Sequence, residues 1–320
     1  MTRYLKFPCA LVLLACASLS GAQPYPVRAV RIIVPFAPAG GTDILARSLA
    51  QKMGESAGQQ FIVDNRAGAN SIIGTEIVAK SAPDGHTLLF TTNIYTINPW
   101  LHQRLPYNSE TDFAPITLAG SAPTLLAVHP SIPAKTVKEL VALAKSKPGQ
   151  LTLAAAGSGT PSHLSGEFLR QTAGIDLLIV QYKGTGASLS DLVGGQVAMS
   201  FGSLPGLHPF VRSGRLRAIA VSGARRVPSL PEVPTIMESY PEFDVVIWYG
   251  LFAPAKTPRE IVTRLYNETL KALNNQEVRQ RLAAQGFDAG GTTPEQFADI
   301  IRQDMARWQK VIAKANIRAE

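Results

Sequence analysis

Two stretches far apart in the chain carry the same pattern, and this repeat constrains the fold more than any other feature. Residues 32–53 read IIVPFAPAGGTDILARSLAQKM, and residues 151–173 read LTLAAAGSGTPSHLSGEFLRQTA. Each is an apolar β-rich run, a glycine-containing turn and an amphipathic helical pattern. Each is followed by a second apolar run ending in a basic, glycine-containing loop, FIVDNRAGAN (61–70) and LLIVQYKGTG (177–186). Gly41-Thr42 corresponds to Gly159-Thr160, and Arg66 to Lys183. The repeat predicts two similar α/β lobes, each turning a glycine loop and a helix N-terminus toward the space between them. A helix N-terminus offers free backbone N–H groups and positive partial charge, so two such loops suggest a cleft that closes on a small acid.

The intervening pattern is alternating strands and helices, which implies parallel-rich sheets with crossover helices and a ligand beyond the strands' carboxyl ends. Strands are expected at Val30 to Phe36, Phe61 to Val63, Thr87 to Thr91, Leu125 to His129, Gln196 to Phe201, Leu216 to Val221 and Val245 to Phe252. Asp43 or Thr42 is expected to cap the first helix, and Thr136 with Glu139 forms a capping box. The tail is helical, and its last helix carries Phe297, Ile300, Ile301, Trp308, Val311 and Ile312 on one broad face. If that tail packs on the first lobe, the chain crosses between lobes twice, near 120–125 and 222–230, and two extended crossings make a hinge. The expected division is residues 23–124 with 228–320 as the first lobe and 125–227 as the second.

Residues 1–22 read as a secretory leader: Arg3 and Lys6, an apolar run too short to span a bilayer, then Ser20-Gly21-Ala22. A lipoprotein box ending at Cys16 ranks second, because Leu14 is bulky for its place in such a box. Both cysteines, Cys9 and Cys16, lie in this leader, so disulfides and thiolate chemistry are not expected beyond it. The chain carries +8, and +6 without Arg3 and Lys6, with the basic residues scattered. A mild positive excess suits anionic ligands. A nucleic-acid partner would need a basic stripe with interleaved aromatics, which is absent. The expected address is the periplasm, and nothing points beyond a monomer.

Longer segments sharpen this reading. YPVRAVRIIVPFAPAGGTDILAR, FIVDNRAGAN, APDGHTLLF, LPYNSETDFAPITL, GSGTPSHLSGE, YKGTGASLSDLVGGQV, SGRLRAIAVSGARRVPSLPEVPT and WYGLFAPAKTP resemble the Bug family, the solute-binding proteins of tripartite tricarboxylate transporters. The resemblance covers essentially everything after the leader. It implies a two-lobed periplasmic binding fold of the type II, Venus-flytrap kind, a carboxylate in the cleft and delivery to a membrane transporter. The chain departs from the family pattern at Ala67, Asn70 and Ser71, and at Ala198 and Gly202, where acids are common. Loss of those acids favours a simple carboxylate over an amino acid.

The first candidate loop is Ala39, Gly40, Gly41, Thr42 and Asp43, with Asp43 ordering the loop rather than touching an anion. The second is Ser158, Gly159 and Thr160, followed by His163. Thr92 and Asn93 end the third strand. Lys183, Gly184 and Thr185 end its second-lobe counterpart, and Phe36, Phe201 and Trp248 are candidate walls. No cofactor or metal is expected. Two other classes stay open: an exported hydrolase built on Ser158, His163 and Glu167, and a module that presents its ligand to a signalling receptor. The hydrolase reading lacks G-x-S-x-G, H-E-x-x-H and a nucleophilic cysteine.

Overall fold

The computed structural model describes residues 25–38, 40–182, 184–243, 245–315 and 317. The expected leader with Cys9 and Cys16, and the candidates Ala39 and Lys183, lie outside the described residues. Among those residues, no helix is long and apolar enough to cross a membrane.

The repeat appears directly in the sheet order. The first copy gives β1 (Val30–Val34), α1 (Gly41–Ala57), β2 (Phe61–Asn65), α2 (Ile72–Ala79) and β3 (Thr87–Thr92). These strands align in parallel in the order β2-β1-β3. The short helix α3 (Ile94–Leu101) and the long strand β4 (Phe113–Val128) follow, then α4 (Val137–Ser146). The second copy gives β5 (Thr152–Ala155), α5 (Pro161–Ala173), β6 (Leu178–Gln181), α6 (Thr185–Val193) and β7 (Met199–Ser203). They align in parallel as β6-β5-β7. Then come α7 (Leu204–Arg212), β8 (Arg217–Val221), β9 (Val246–Pro254), α8 (Arg259–Asn274), α9 (Gln276–Ala284), β10 (Asp288–Ala289) and α10 (Pro294–Ala315).

One strand joins the halves. Residues 113–123 of β4 pair antiparallel with β9, whose other edge pairs antiparallel with β3. Residues 124–128 of the same strand pair antiparallel with β7 and β8. The full order is β2-β1-β3-β9-β4-β7-β5-β6, a curled sheet with a helix-covered, parallel-strand group at each end. At the crossing, Thr124 donates its backbone N–H (2.9 Å) and its hydroxyl (3.0 Å) to Ser222 Oγ, which donates to the Val245 carbonyl. The stretch 222–245 packs Val227, Leu230 and Val233 with Leu125, Leu192 and Leu207 before β9 re-enters the first half.

Each half has its own core. Ile32, Leu45, Leu49, Met53, Leu88 and Phe90 fill the first, and Leu126, Leu153, Leu164, Leu169, Met199 and Phe201 fill the second. Helix α10 serves both. Its first turns bury Phe297, Ile301 and Met305 with Ile33, Leu89 and Phe252. Its last turns bury Trp308, Val311 and Ile312 with Leu164 and Phe243. Between them Asp304, on the same face, accepts hydrogen bonds from Thr96 Oγ1 (2.6 Å) and Trp248 Nε1 (2.9 Å). Burial raises the pKa of this carboxyl above the usual range.

One expectation of local structure needs correction. Helix α1 is capped by the extended backbone of Gly40 with no side-chain cap, so neither Thr42 nor Asp43 plays that part. Helix α3, eight residues with Pro99 inside, is too short for its period to be read from the sequence. Thr136 does cap α4, accepting from the Glu139 N–H at 3.2 Å.

Candidate functional site

A cavity of about 260 Å³ lies where β4 passes from one half of the sheet to the other. The first half contributes Phe36, from the loop after β1, and Ile247 of β9. Thr124 lies at the crossing. The second half contributes the rest, and three of its helices begin at the cavity wall. Thr160, Pro161 and Ser162 start α5; Thr185 and Ser188 belong to the start of α6; Ser203 is the N-cap of α7. None of these helices has an acid in its first turn. Among the described residues, none that lines the cavity is charged. Phe201, Leu189, Leu192 and Leu207 supply apolar wall.

The α5 loop is shaped by hydrogen bonds between neutral groups. Ser162 Oγ accepts the Ala156 N–H at 3.0 Å and lies 3.0 Å from Thr160 Oγ1, which donates to the Gly157 carbonyl at 2.7 Å. The Gly159 N–H donates to His163 Nδ1 at 3.0 Å. Gly159 has φ of +69°, and a Cβ there would sit 1.9 Å from a Leu101 methyl, so both the turn and the approach of α3 require glycine. His163 is buried, and desolvation, assisted by the Arg170 charge, pushes its pKa down to about 4. It is therefore neutral at pH 7, with Nδ1 as acceptor. Its Nε2 lies 3.9 Å from Glu167 Oε1, and Glu167 is bound by Arg170 at 2.8 Å. This geometry makes His163 a brace for the loop, not a base presented to a nucleophile.

The first loop is held by charges. Asp43 is buried on the first turn of α1, and both its oxygens accept from Arg47 Nε at 3.0 Å. Asn65 Nδ2 bridges Asp43 Oδ1 (3.0 Å) and the Phe36 carbonyl (3.1 Å). Gly41 packs on Tyr249 and Phe287. Of the sequence-derived candidates, Phe36, Thr160, Thr185 and Phe201 line the cavity. Gly40, Gly41, Thr42 and Asp43 do not, nor do Ser158, Gly159, His163 and Gly184, which lie in or beside its flanking turns. Thr92 and Asn93 are buried at the start of α3, where Thr92 Oγ1 accepts from Ile94 and Asn93 Nδ2 donates to the Val246 carbonyl. Trp248 faces Phe252 and Phe297 rather than the cavity. Arg66 pairs with Asp64 at 3.0 Å. Ser162, Ser188, Ser200, Ser203, Leu207 and Ile247 were not singled out from sequence; a hydroxyl at the first turn of a helix was the one signal available for Ser162 and Ser203.

Comparison with known proteins follows the same outline. The family model described as "Tripartite tricarboxylate transporter family receptor" matches residues 45–317. A UPF0065 protein from the tcbD-tcbE intergenic region of Pseudomonas sp. (strain P51) is 40% identical over 297 residues, covering 92% of this chain and 88% of its own. Protein BugT of Bordetella pertussis is 36% identical over 294 residues, 91% of this chain and 90% of its own. Among solved structures, R. palustris Rpa4515 with adipate has a TM-score of 0.84 at 34% identity, covering 92% of this chain and all (100%) of its own. MatC from Rhodopseudomonas palustris with bound malate has a TM-score of 0.80 at 33% identity, over 90% of this chain and 100% of its own.

Proposed function

The chain belongs to the tripartite tricarboxylate transporter receptor family and is a solute-binding receptor rather than an enzyme, and from that premise we propose that it captures a small organic carboxylate in the interlobe cavity and delivers it to the membrane subunits of such a transporter. Capture takes place in the periplasm, after removal of the leader. The single observation that carries the carboxylate is the meeting of three acid-free helix N-termini on one cavity whose described lining is uncharged. Each N-terminus favours an anion by about 0.3–1 kcal/mol. Hydrogen bonds to a charged oxygen add about 1.5–3 kcal/mol each. Adipate and malate in two related structures support the same ligand class.

The mechanism is binding followed by closure. The carboxylate accepts from N–H groups at the starts of α5, α6 and α7 and from the hydroxyls of Thr185 and Ser203. Phe36 and Ile247 then cover it from the first half. A ligand touching both halves favours the closed arrangement by its differential affinity for it. Closed receptor is the form presented to the transporter. The test is calorimetric titration of the purified protein with small acids and their amides: binding of an acid with none of its amide is expected, and equal binding of both sinks the anion reading.

A further inference from the structure

Helix α3 stands between the two halves and touches the turn that shapes the cavity. Its polar bonds run to elements of the first half and to α10. Thr96 Oγ1 donates to Asp304 of α10 at 2.6 Å, and the Tyr95 hydroxyl donates to the Ser109 carbonyl. Asn98, fully buried, donates from Nδ2 to the Asn70 carbonyl (2.9 Å) and accepts from Asn70 Nδ2 (3.1 Å). These bonds hold a turn in which Ala69, Asn70 and Ser71 have φ of 44°, 51° and 74°, a conformation that residues other than glycine rarely adopt. The apolar side of α3 faces the other way: Ile94, Ile97 and Leu101 join the second half's core with Leu126, Leu164 and Phe201. At the end of the helix a Leu101 methyl seats on Gly159, in the space a Cβ would fill.

We infer that Leu101 is a positioning residue for ligand binding: it fixes the α5 turn from the first half, so that the turn takes its binding shape only while the halves are closed. The inference rests on the carboxylate reading above. Gly159 immediately precedes Thr160, Pro161 and Ser162, which line the cavity, whereas Leu101 does not line it. The turn is gripped from two sides. On one, His163 Nδ1 accepts the Gly159 N–H at 3.0 Å; on the other, Leu101 covers the face where glycine has no side chain. Leu101 is the last residue of a helix whose polar bonds tie it to the first half, so it moves with that half. When the halves part, Leu101 withdraws from Gly159, and the left-handed turn at φ +69° loses the wall that defines it. Coupling of this kind is reciprocal: closure prepares the turn, and a ligand held by the turn favours closure.

The experiment compares Leu101→Ala with Leu140→Ala, two buried leucines of the same core, the second on α4. Both variants lose core packing, so a merely structural role lowers stability in both and distinguishes neither. Two readouts separate them at pH 7. The first needs no ligand: the Nδ1 resonance of His163 by nitrogen NMR, assigned with His163→Gln. It is expected to move in Leu101→Ala toward that of an imidazole nitrogen accepting no bond, and to stay in place in Leu140→Ala. The second is calorimetric titration with adipate, malate and benzoate. The acids that bind the wild type are expected to bind Leu101→Ala about tenfold more weakly and Leu140→Ala within about twofold of the wild type. Leu101→Met, which keeps a long apolar side chain, is expected to restore both readouts; Leu101→Val, a milder truncation, is read in the same way where Leu101→Ala does not fold. An unmoved His163 resonance, or equal loss of affinity in Leu101→Ala and Leu140→Ala, overturns the positioning role. A wild type that binds none of the acids overturns the carboxylate reading, while the resonance still decides whether Leu101 sets the turn.

Discussion

The first and second copies of the strand–loop–helix unit use the same backbone and opposite electrostatics. In the first, a carboxylate belonging to the protein itself, Asp43, lies on the first turn of α1, tied to Arg47 and Asn65. The positive end of that helix is already matched. In the second, the equivalent turn carries Ser162 and His163, and its loop is braced by a neutral imidazole and two hydroxyls. The starts of α5, α6 and α7 therefore keep their anion preference for something outside the chain. The repeat teaches that a glycine loop before a helix is only half of an anion site. The other half is the absence of an internal acid.

The largest effect that tests this contrast is on the neutral brace. His163 is pushed down to about 4 in the folded protein, against 6.5 for an ordinary histidine. The unfolded chain thus binds more protons between those values, so stability rises with pH from about 4 to 6.5 and is lost as pH falls through that window. By linkage the loss reaches about 3 kcal/mol at most, a proton having to enter a buried site whose Nδ1 already accepts a hydrogen bond. Glu167 and Asp304, whose pKa values burial raises, act in the opposite sense, so the informative quantity is a difference. Urea unfolding of the wild type and His163→Gln at pH 7 and pH 4.5 is expected to show a smaller acid-side loss in the variant. Equal losses would remove His163 as the source. Next in size is the charged brace. Asp43→Ala removes an acceptor shared by Arg47 and Asn65 and is expected to cost about 2 kcal/mol by denaturant unfolding. Carboxylate affinity should stay within about twofold, because Asp43 is not part of the cavity wall. A large affinity change with little loss of stability would reverse the roles assigned to the two loops.

Much of this was legible in the sequence, and the parts that were not share a physical cause. The spacing of apolar runs and glycines gave the pairs β1–α1–β2 and β5–α5–β6, because local periodicity reports which face is buried. It could not give β4 as one continuous strand. Residues 113–123 contain Pro115 and Pro123, and their pairing with β9 joins segments far apart in sequence. Position of side chains around the cavity was equally invisible. Ser203 and Ile247 line one cavity only because β4 carries the chain from one sheet half to the other, pairing with Ser203 at Thr124 and with Ile247 at Ala122. The backbone of the first loop was readable, yet Asp43 looked like a cap. Arg47 lies one turn on along the same helix, but the contact with Asn65 on the next strand is set by tertiary packing.

A sharper form of the comparison transfers the first copy's acid to the second. Thr185 is exposed, begins α6 and lines the cavity. In Thr185→Asp the new carboxylate should stabilise the isolated helix start by about 0.5 kcal/mol, as acids at that position do. The same charge repels the ligand and occupies its donors, and carboxylate affinity is expected to fall about 10- to 30-fold, or about 1.4–2 kcal/mol. Melting temperature without ligand would rise slightly while ligand-induced stabilisation collapses. If affinity holds, α6 does not face the ligand, and the second copy's advantage must lie in α5 and α7 alone.

The smallest expected effect is at Ser203, and it asks whether a cavity hydroxyl contributes to binding without contributing to the fold. Ser203 is the N-cap of α7, yet its side chain makes no capping hydrogen bond, so the usual penalty of about 1 kcal/mol for removing a serine cap does not apply. Its hydroxyl is exposed at the cavity wall. Ser203→Ala should therefore leave unfolding unchanged and weaken carboxylate binding by about 0.5–1.5 kcal/mol, a factor of about 2–10. The matching change in the first half, Asn65→Ala, should do the reverse: lower stability through the lost bridge between Asp43 and Phe36, with affinity affected only as far as Phe36 shifts. Measured side by side by calorimetry and urea unfolding, the two variants separate a polar atom committed to the protein from one left for the ligand. A Ser203→Ala protein that binds as well as the wild type would place the carboxylate head at the starts of α5 and α6, away from α7.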